Sequence, residues 1–266
     1  MQAISDFWAR MRRLWPTLRL LVARDLRQRV SGTAFGVLWL LLDPLFYLAI
    51  YTFLFGLVLK VRFGAQGGTL DYAFYLMAGL MPYSAFQEAV NRSTTVLIES
   101  RGLVEHTRLP PALLVPVVCV ASLITEALGL SLLVVFEWLG TGRISPWLLA
   151  LPLLVAIRLA LSLGIGWLVA IFSAFLRDIG QVVRMLLTLG MFVTPIMYPA
   201  EMVPPAYRWL LLVNPMAPLI EAYRDLILRG QAPGAALCYP ALFALGVWGV
   251  GFVVFKRLLG RAKDFL

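Results

Sequence analysis

Long apolar runs recur along the whole chain and constrain its fold more than any other feature. Inside a bilayer every backbone N–H and C=O must be satisfied by the protein itself, so a run of about 20 apolar residues folds as a membrane-spanning helix. Of the 266 residues, 61% are hydrophobic and 14% are charged, whereas soluble domains have about 45–50% and about 25%. The sequence therefore predicts an all-α integral membrane protein.

The hydropathy pattern predicts six transmembrane helices in one transmembrane domain that covers residues 33–266. Their approximate bounds are 33–59, 73–97, 112–137, 146–174, 181–199 and 237–259.

Between the fifth and sixth spans, two apolar segments are each too short to cross a bilayer, and Asn214-Pro215 separates them. Broken helices are tolerated at membrane depth only where they are buried in protein or line a wet cavity. Residues 204–229 are therefore predicted to form a re-entrant helix pair that enters from the outer side.

Positive charges concentrate on one side of this topology. Of the 23 lysines and arginines, sixteen lie in the termini and in the connections between spans 2 and 3 and between spans 4 and 5, whereas six lie on the other side. By the positive-inside rule both termini are cytoplasmic. This placement accounts for the net charge of +9 without a nucleic-acid partner.

Residues 1–32 are predicted to form a cytoplasmic tail and an amphipathic helix over about 17–30. Leu18, Val22 and Leu26 recur at helical spacing, while Arg24 and Arg27 point elsewhere. The pattern is typical of a helix that lies in the cytoplasmic membrane interface. A solvated basic tail is the alternative.

Two charges lie at the same depth in neighbouring spans. Glu126 and Arg158 are each twelve residues from the outer end of spans 3 and 4, about 18 Å along a helix. Because a short loop joins these spans, we predict a hairpin with a Glu126–Arg158 ion pair that fixes its register. The alternative is that one of the two residues lines a polar pathway.

Two further acidic residues lie inside predicted spans. Glu88 precedes Arg92 by four residues, a spacing that predicts an ion pair within one helix. Asp43 lies ten residues into the first span, with no opposite charge at a matching depth. It faces a water-filled conduit, a second subunit or a local hydrogen-bond partner.

The chain lacks the motifs of nucleotide, metal and acid–base chemistry. It contains no G-x-x-x-x-G-K-[ST] phosphate loop. Its single histidine, His106, has no cysteine or carboxylate array at metal-ligand spacing. We therefore expect a protein that is not an enzyme and has no metal site, which leaves transport as the favoured function.

Aromatic residues in the first and fifth spans are the candidate lining of a transport channel. Aromatic faces slide against the apolar faces of sugar rings, and phenol and indole groups add hydrogen bonds. With the intramembrane carboxylate, the candidate lining residues are Trp39, Asp43, Phe46, Tyr47, Tyr51 and Phe192. Tyr72, Tyr75 and Tyr198 are assigned instead to the interfacial aromatic belt.

An ordered series of short stretches carries a family resemblance. The stretches are 24–29 (RDLRQR), 36–44 (GVLWLLLDP), 51–53 (YTF), 79–82 (GLMP), 91–93 (NRS), 175–179 (FLRDI), 194–196 (TPI), 214–215 (NP) and 223–225 (YRD). In this order and spacing they resemble the ABC-2-type permeases that export lipid-linked polysaccharides such as O-antigens, capsules and teichoic acids.

The resemblance implies a homodimer in the bacterial inner membrane around a continuous channel. It also implies two copies of a separate ATPase subunit, which binds the ATP and magnesium, so that no cofactor is expected in this chain. The other implied partners are lipid-linked polysaccharide, membrane lipids and periplasmic export components. Two alternatives are an ABC-2 exporter of small hydrophobic drugs or lipids, and a non-transport membrane scaffold of a polymer synthase.

The resemblance also implies roles for three groups of residues. The expected contact with the ATPase subunit comprises Asp25, Glu99, Arg101, Glu105, His106 and Arg108. The arginines expected at the cytoplasmic mouth, where they attract the diphosphate of a lipid carrier, are Arg19, Arg24, Arg27 and Arg29. The expected re-entrant exit comprises Asn214, Pro215, Glu221, Tyr223, Arg224 and Asp225.

Overall fold

The computed structural model describes residues 2–58, 71–102, 109–142, 144–176 and 178–262. Within these ranges the chain is all-helical, as predicted, and contains ten α-helices with short 3-10 and π segments and no strand. The α-helices are α1 (Gln2–Val30), α2 (Trp39–Tyr51), α3 (Asp71–Ser93), α4 (Val96–Glu99), α5 (Leu114–Thr141), α6 (Leu151–Phe175), α7 (Ile179–Val193), α8 (Trp209–Val213), α9 (Met216–Arg224) and α10 (Cys238–Ala262).

Three helical segments of the described chain are long and apolar enough to cross a membrane. They are Pro111–Thr141, Pro146–Phe175 and Ala235–Ala262, with mean hydropathies of 2.2, 2.3 and 1.9, and they coincide with the third, fourth and sixth predicted spans. Trp39–Leu54 and Ile179–Val193 are shorter apolar helices, at the positions of the first and fifth. The prediction of six full-length spanning helices is therefore met at three positions.

The shorter helices have local causes. The α-helix of the first predicted span gives way to a π segment, Thr52–Val58, in which the hydrogen-bond pattern changes. The α-helix of the fifth ends at Val193, just before Thr194-Pro195. A residue that precedes proline is disfavoured in the α conformation, so the helix stops there rather than at the predicted residue 199.

Helix α3 lies at the centre of the fold. It contacts α2, α5, α6, α7 and α9, and its side chains are buried from Tyr72 through Tyr83. Although Asp71, Glu88 and Arg92 make α3 more polar than the other long helices, neighbouring protein covers most of it. Polar groups on α3 can therefore bond to protein rather than face lipid.

Helices α6 and α10 pack closely through glycine. A Cβ atom added at Gly164 would lie 2.5 Å from the backbone N of Trp248, and one added at Gly251 would overlap the Gly164 carbonyl. Small residues at such crossings let helix backbones approach each other within a membrane. Trp167 packs beside the crossing, with its ring centroid 5.0 Å from that of Phe252.

Helix α1 packs its apolar side against α5. Val22 is buried in a small cluster with Val117 and Ala121, and Leu18 and Leu26, the rest of the predicted stripe, pack against that cluster. The stripe therefore covers protein, which a solvated tail does not do. The helix begins at Gln2 rather than near residue 17.

Candidate functional site

Four charged residues join α1 to the far end of α3. Asp25 accepts a hydrogen bond from Arg92 Nη1 at 2.9 Å and one from Arg29 Nε at 3.1 Å. Arg29 Nη1 pairs with Glu88, and Glu88 Oε1 lies 3.8 Å from Arg92 Nη1. The predicted Glu88–Arg92 pair is thus one side of a larger network of alternating charges that holds α1 against α3.

The arginines keep Asp25 ionised. Burial alone raises the pKa of this carboxyl, but the hydrogen bond and charge of Arg92, together with Arg29, hold it below its ordinary value of 3.8. Asp25 was predicted to contact an ATPase subunit and Arg29 a lipid phosphate. In the structure both side chains form ion pairs within the fold, and Asp25 also borders the cavity described below; their roles toward a partner stay predictions.

Three other arginines of α1 lie at the surface of the protein. Arg19, Arg24 and Arg27 are exposed. Arg24 also borders a cavity of about 330 Å³ that Glu99 and Ser100 border from the side of α4. This cavity is polar and lies where α1, α3, α4 and α5 meet.

The structure describes only part of the predicted ATPase contact. Glu99 and Arg101 are exposed beside the cavity, so they are accessible to another chain. Glu105, His106 and Arg108 lie outside the described residues.

A buried polar cluster links α5, α6 and α9. Arg158 Nη2 pairs with Glu126, Arg158 Nη1 donates to Ser122 Oγ at 3.1 Å, and Tyr223 donates to the other Glu126 oxygen at 2.8 Å. Glu126 is 1% exposed and Arg158 0%, so neither lines a pathway in this conformation. The pair neutralises two buried charges and, through Tyr223, ties the α5–α6 hairpin to α9.

At the opposite end of α3, Arg224 is the fully buried centre of a second network. Its guanidinium donates to the carbonyls of Pro195 and Ile196, each at 2.8 Å, and to that of Tyr75 at 3.3 Å. Its Nη1 also lies 3.1 Å from Glu221, and its Cζ lies 3.5 Å from the centre of the Tyr75 ring. One side chain therefore joins α9, α3 and the chain that follows α7.

Two tyrosines of α3 complete the same network. Tyr72 donates to the carbonyl of Met197 at 2.5 Å, and Tyr75 to that of Tyr198 at 3.3 Å. Their assignment to an interfacial belt was wrong, because both rings are buried in the protein. Together with Arg224, these tyrosines donate hydrogen bonds to four consecutive backbone carbonyls, those of residues 195–198, in the segment that follows α7.

The Asn214-Pro215 break is fixed by hydrogen bonds. Asn214 Nδ2 donates to Thr194 Oγ1 at 2.8 Å, and Asn214 Oδ1 accepts from the backbone N of Met216 at 3.0 Å. The latter bond closes an Asx turn immediately before α9. The predicted helix pair is therefore present as α8 and α9, and beyond it Arg229 pairs with Glu221 and Asp225 at 2.6 Å each.

Most of the predicted lining residues lie on open faces. On α2, Trp39, Asp43, Phe46 and Tyr47 are exposed, whereas Tyr51 is half-buried against the core. On α7, Phe192 is 56% exposed.

Helix α7 also has an exposed polar stripe that was not selected from the sequence. Gln181, Arg184 and Thr188 are exposed at i, i+3 and i+7, a spacing that places them on one side of a helix. That spacing is readable from the sequence and is the signal that could have found them.

Comparison with known proteins covers nearly the whole chain. Residues 16–228 match the family described as ABC-2 type transporter. The chain is 26% identical over 260 residues to an O-antigen export system permease protein, RfbA, of Klebsiella pneumoniae, covering 95% of this chain and 96% of the relative. An RfbA of Myxococcus xanthus is 29% identical over 89% of this chain and 90% of its own. The polysialic acid transport protein KpsM of Escherichia coli is 25% identical over 90% of this chain and 92% of the relative.

Proposed function

This chain belongs to the ABC-2 type transporter family, and we propose from that premise that it is the membrane subunit of an ATP-driven exporter of lipid-linked polysaccharide. The observation that carries the proposal is its end-to-end similarity to permeases named for O-antigen export and polysialic acid transport. The polysaccharide moves from the cytoplasm across the bacterial inner membrane. The chain itself is not the ATPase.

In the proposed arrangement six spans cross the membrane and both termini are cytoplasmic. The end of the fold that carries α1 faces the cytoplasm, and α8 and α9 face outward as the re-entrant pair. The distribution of arginines supports this orientation. Two copies of the chain surround the conduit, which α2 and α7 line, and the exposed aromatic side chains of Tyr47 and Phe192 are part of this lining.

The cytoplasmic end holds the ATPase contact and the substrate entrance. A separate nucleotide-binding subunit, with its ATP and magnesium, docks beside the cavity bordered by Arg24, Glu99 and Ser100. Movement of that subunit reaches the membrane part through α1, because the Asp25 network joins α1 to α3. Arg19, Arg24 and Arg27 attract the diphosphate of a lipid carrier.

Reconstitution tests the activity. The chain and a candidate nucleotide-binding subunit from the same organism are purified together and placed in vesicles with a lipid-diphosphate-linked oligosaccharide. We expect ATP-dependent transfer of the sugar to the lumen, where external glycosidase no longer reaches it, and no transfer with an ATPase variant that lacks its phosphate-loop lysine. ATP-dependent movement of a hydrophobic dye without movement of the sugar would favour a drug exporter, and the absence of any bound ATPase would favour a scaffold.

The arginines are tested in the same vesicles. We expect the R24Q/R27Q variant to lose transport or ATPase coupling while its folded yield is unchanged, because both side chains are exposed. The matched control is K256Q/R257Q, which removes two exposed charges from the last turns of α10. Normal transport by R24Q/R27Q would contradict both the docking role and the lipid-phosphate role.

A further inference from the structure

The two short apolar helices each carry one charged residue, and the two charges are opposite. Trp39–Leu54 contains Asp43, and Ile179–Val193 contains Arg184. Both side chains are exposed. Arg184 donates a hydrogen bond to Gln181 within its own helix, but neither charge has an ion-pair partner among the residues that the structure describes.

These charges need a partner that the described part of the chain does not supply. Ionisable side chains within a membrane are costly in lipid and almost always face other protein or water. A local hydrogen-bond partner for Asp43 was one reading of the sequence, but the exposed carboxylate has none among the described residues. Whatever covers Asp43 therefore comes from outside the described residues.

The surroundings of Asp43 indicate a protein surface. Trp39, Phe46 and Ile50 lie at i−4, i+3 and i+7 from Asp43, on the same side of α2, and they are exposed by 41%, 66% and 41%. A carboxylate within an apolar, aromatic face is typical of a helix that meets another helix, with the charge paired at the contact.

Arg184 occupies a matching face of α7. Gln181 and Thr188 flank it along the helix, and Met185 and Leu189, 60% and 58% exposed, lie beside this stripe. Like the face of α2, this face combines one charge with large apolar side chains. The two faces are complementary in charge and similar in character.

The two charges also lie at similar distances from the starts of their helices. Asp43 is four residues from the start of α2 and Arg184 is five residues from the start of α7, which corresponds to about 6 Å and about 8 Å of helix rise. Both helices start at the cytoplasmic side in the proposed topology. The long arginine side chain readily covers the small difference.

We propose that two copies of this chain pack α2 of one protomer against α7 of the other, with Asp43 of each protomer paired with Arg184 of the partner subunit. A two-fold interface is self-complementary, so one such contact is repeated by symmetry and gives two ion pairs. We call the two α2–α7 contacts the seams of the dimer. The ion pairs lie at these seams, near the cytoplasmic mouth of the conduit. This inference rests on the homodimer of the proposed function and identifies its contact.

Charge reversal in trans tests the pairing. D43R places two cations at each α2–α7 contact and R184D places two anions, and like charges in contact oppose association. We therefore expect either variant alone to form at least about tenfold less dimer than the wild type. When a chain with D43R and a differently tagged chain with R184D are expressed together, both seams of the mixed dimer regain opposite charges. Mixed dimers should then recover while dimers of identical chains stay rare.

The readout is tandem affinity purification followed by native mass measurement, with monomer yield as the control for folding. R257D is the matched variant, since Arg257 is an exposed cation on α10 and away from both faces. We expect no preference for mixed dimers with R257D. The double variant D43R/R184D in one chain should also dimerise.

Three outcomes overturn the proposal. The first is normal dimerisation of both single variants, which would mean that lipid or water covers the charges. The second is recovery in the double variant but not between the two single variants, which would place the pair within one chain. The third is a monomeric wild type. If the protein exports sugar and both charge reversals leave dimerisation unchanged, only the pairing is rejected. If dimerisation responds as described but no sugar is transported, only the proposed substrate is rejected.

Discussion

Replacing Arg224 by lysine tests whether the buried guanidinium holds the broken region together. Arg224 is fully buried and donates to three carbonyls, those of Pro195, Ile196 and Tyr75. Lysine keeps the charge but has a single ammonium group. We expect it to keep one of these bonds and to leave two carbonyls buried without a donor.

The magnitude follows from those two carbonyls. A buried polar group that loses its partner costs about 1–3 kcal/mol, so R224K should destabilise the protein by about 2–6 kcal/mol. For a chain of this size, 1 kcal/mol corresponds to a shift in Tm of about 2–4 °C. The apparent Tm of R224K should therefore be roughly 4–24 °C lower than that of the wild type.

The assay is thermal unfolding of the purified chain in detergent, followed by tryptophan fluorescence at one fixed scan rate. R229K is the matched control, because Arg229 pairs with Glu221 and Asp225 on the same segment but its side chain is 43% exposed. An exposed pair contributes about 0–1 kcal/mol, so its shift should stay below about 4 °C. Equal shifts for the two variants, or a wild-type Tm for R224K, would refute this account of the carbonyls.

Three further predictions concern other parts of the fold. G251A should lower the apparent Tm because its methyl group would overlap the backbone of α6, whereas G249A, with nothing within 4 Å of an added Cβ, should not; equal effects would exclude close helix contact as the cause. The lowered pKa of Asp25 stabilises the docked α1 above the ordinary carboxyl value of 3.8, and that stability is lost as the pH falls through the lower folded-state pKa. The Tm difference between wild type and D25N should therefore shrink below about pH 4, and a difference constant from pH 7 to pH 3 would contradict this. Reversal of Glu126 or Arg158 alone should reduce folded yield, and the double reversal should restore it only in part, because both residues also bond to neutral hydroxyl groups; unchanged yields in the single variants would show that the pair is dispensable.

Sequence reasoning succeeded where one periodic element fixes the geometry. The depth of Glu126 and Arg158 follows from helix rise and a short connecting loop, and the structure brings their charged groups together. The helix break at Asn214-Pro215 follows equally from local chemistry, because proline ends helices. Neither inference needs to know how distant elements pack.

Sequence reasoning failed where a residue's contacts depend on packing between elements that are far apart in the chain. From the sequence, Asp25 and Arg29 resemble unpaired surface charges, because nothing within α1 indicates that this side of the helix contacts α3. Tyr72 and Tyr75 read as belt residues, because their acceptors lie more than 120 residues away in the chain. For the same reason the hydropathy of α3 underestimates how much of that helix is buried, since its polar groups bond to residues of other helices.

The four capped carbonyls after α7 restrict how the subunit can deform. To slide or bend at residues 195–198, the chain must release hydrogen bonds to Arg224, Tyr72 and Tyr75 together. Helices α3, α7 and α9 should therefore move as one rigid body during a transport cycle. The remaining degrees of freedom are the displacement of whole subunits and the motion of α2, whose π segment lies outside this rigid body.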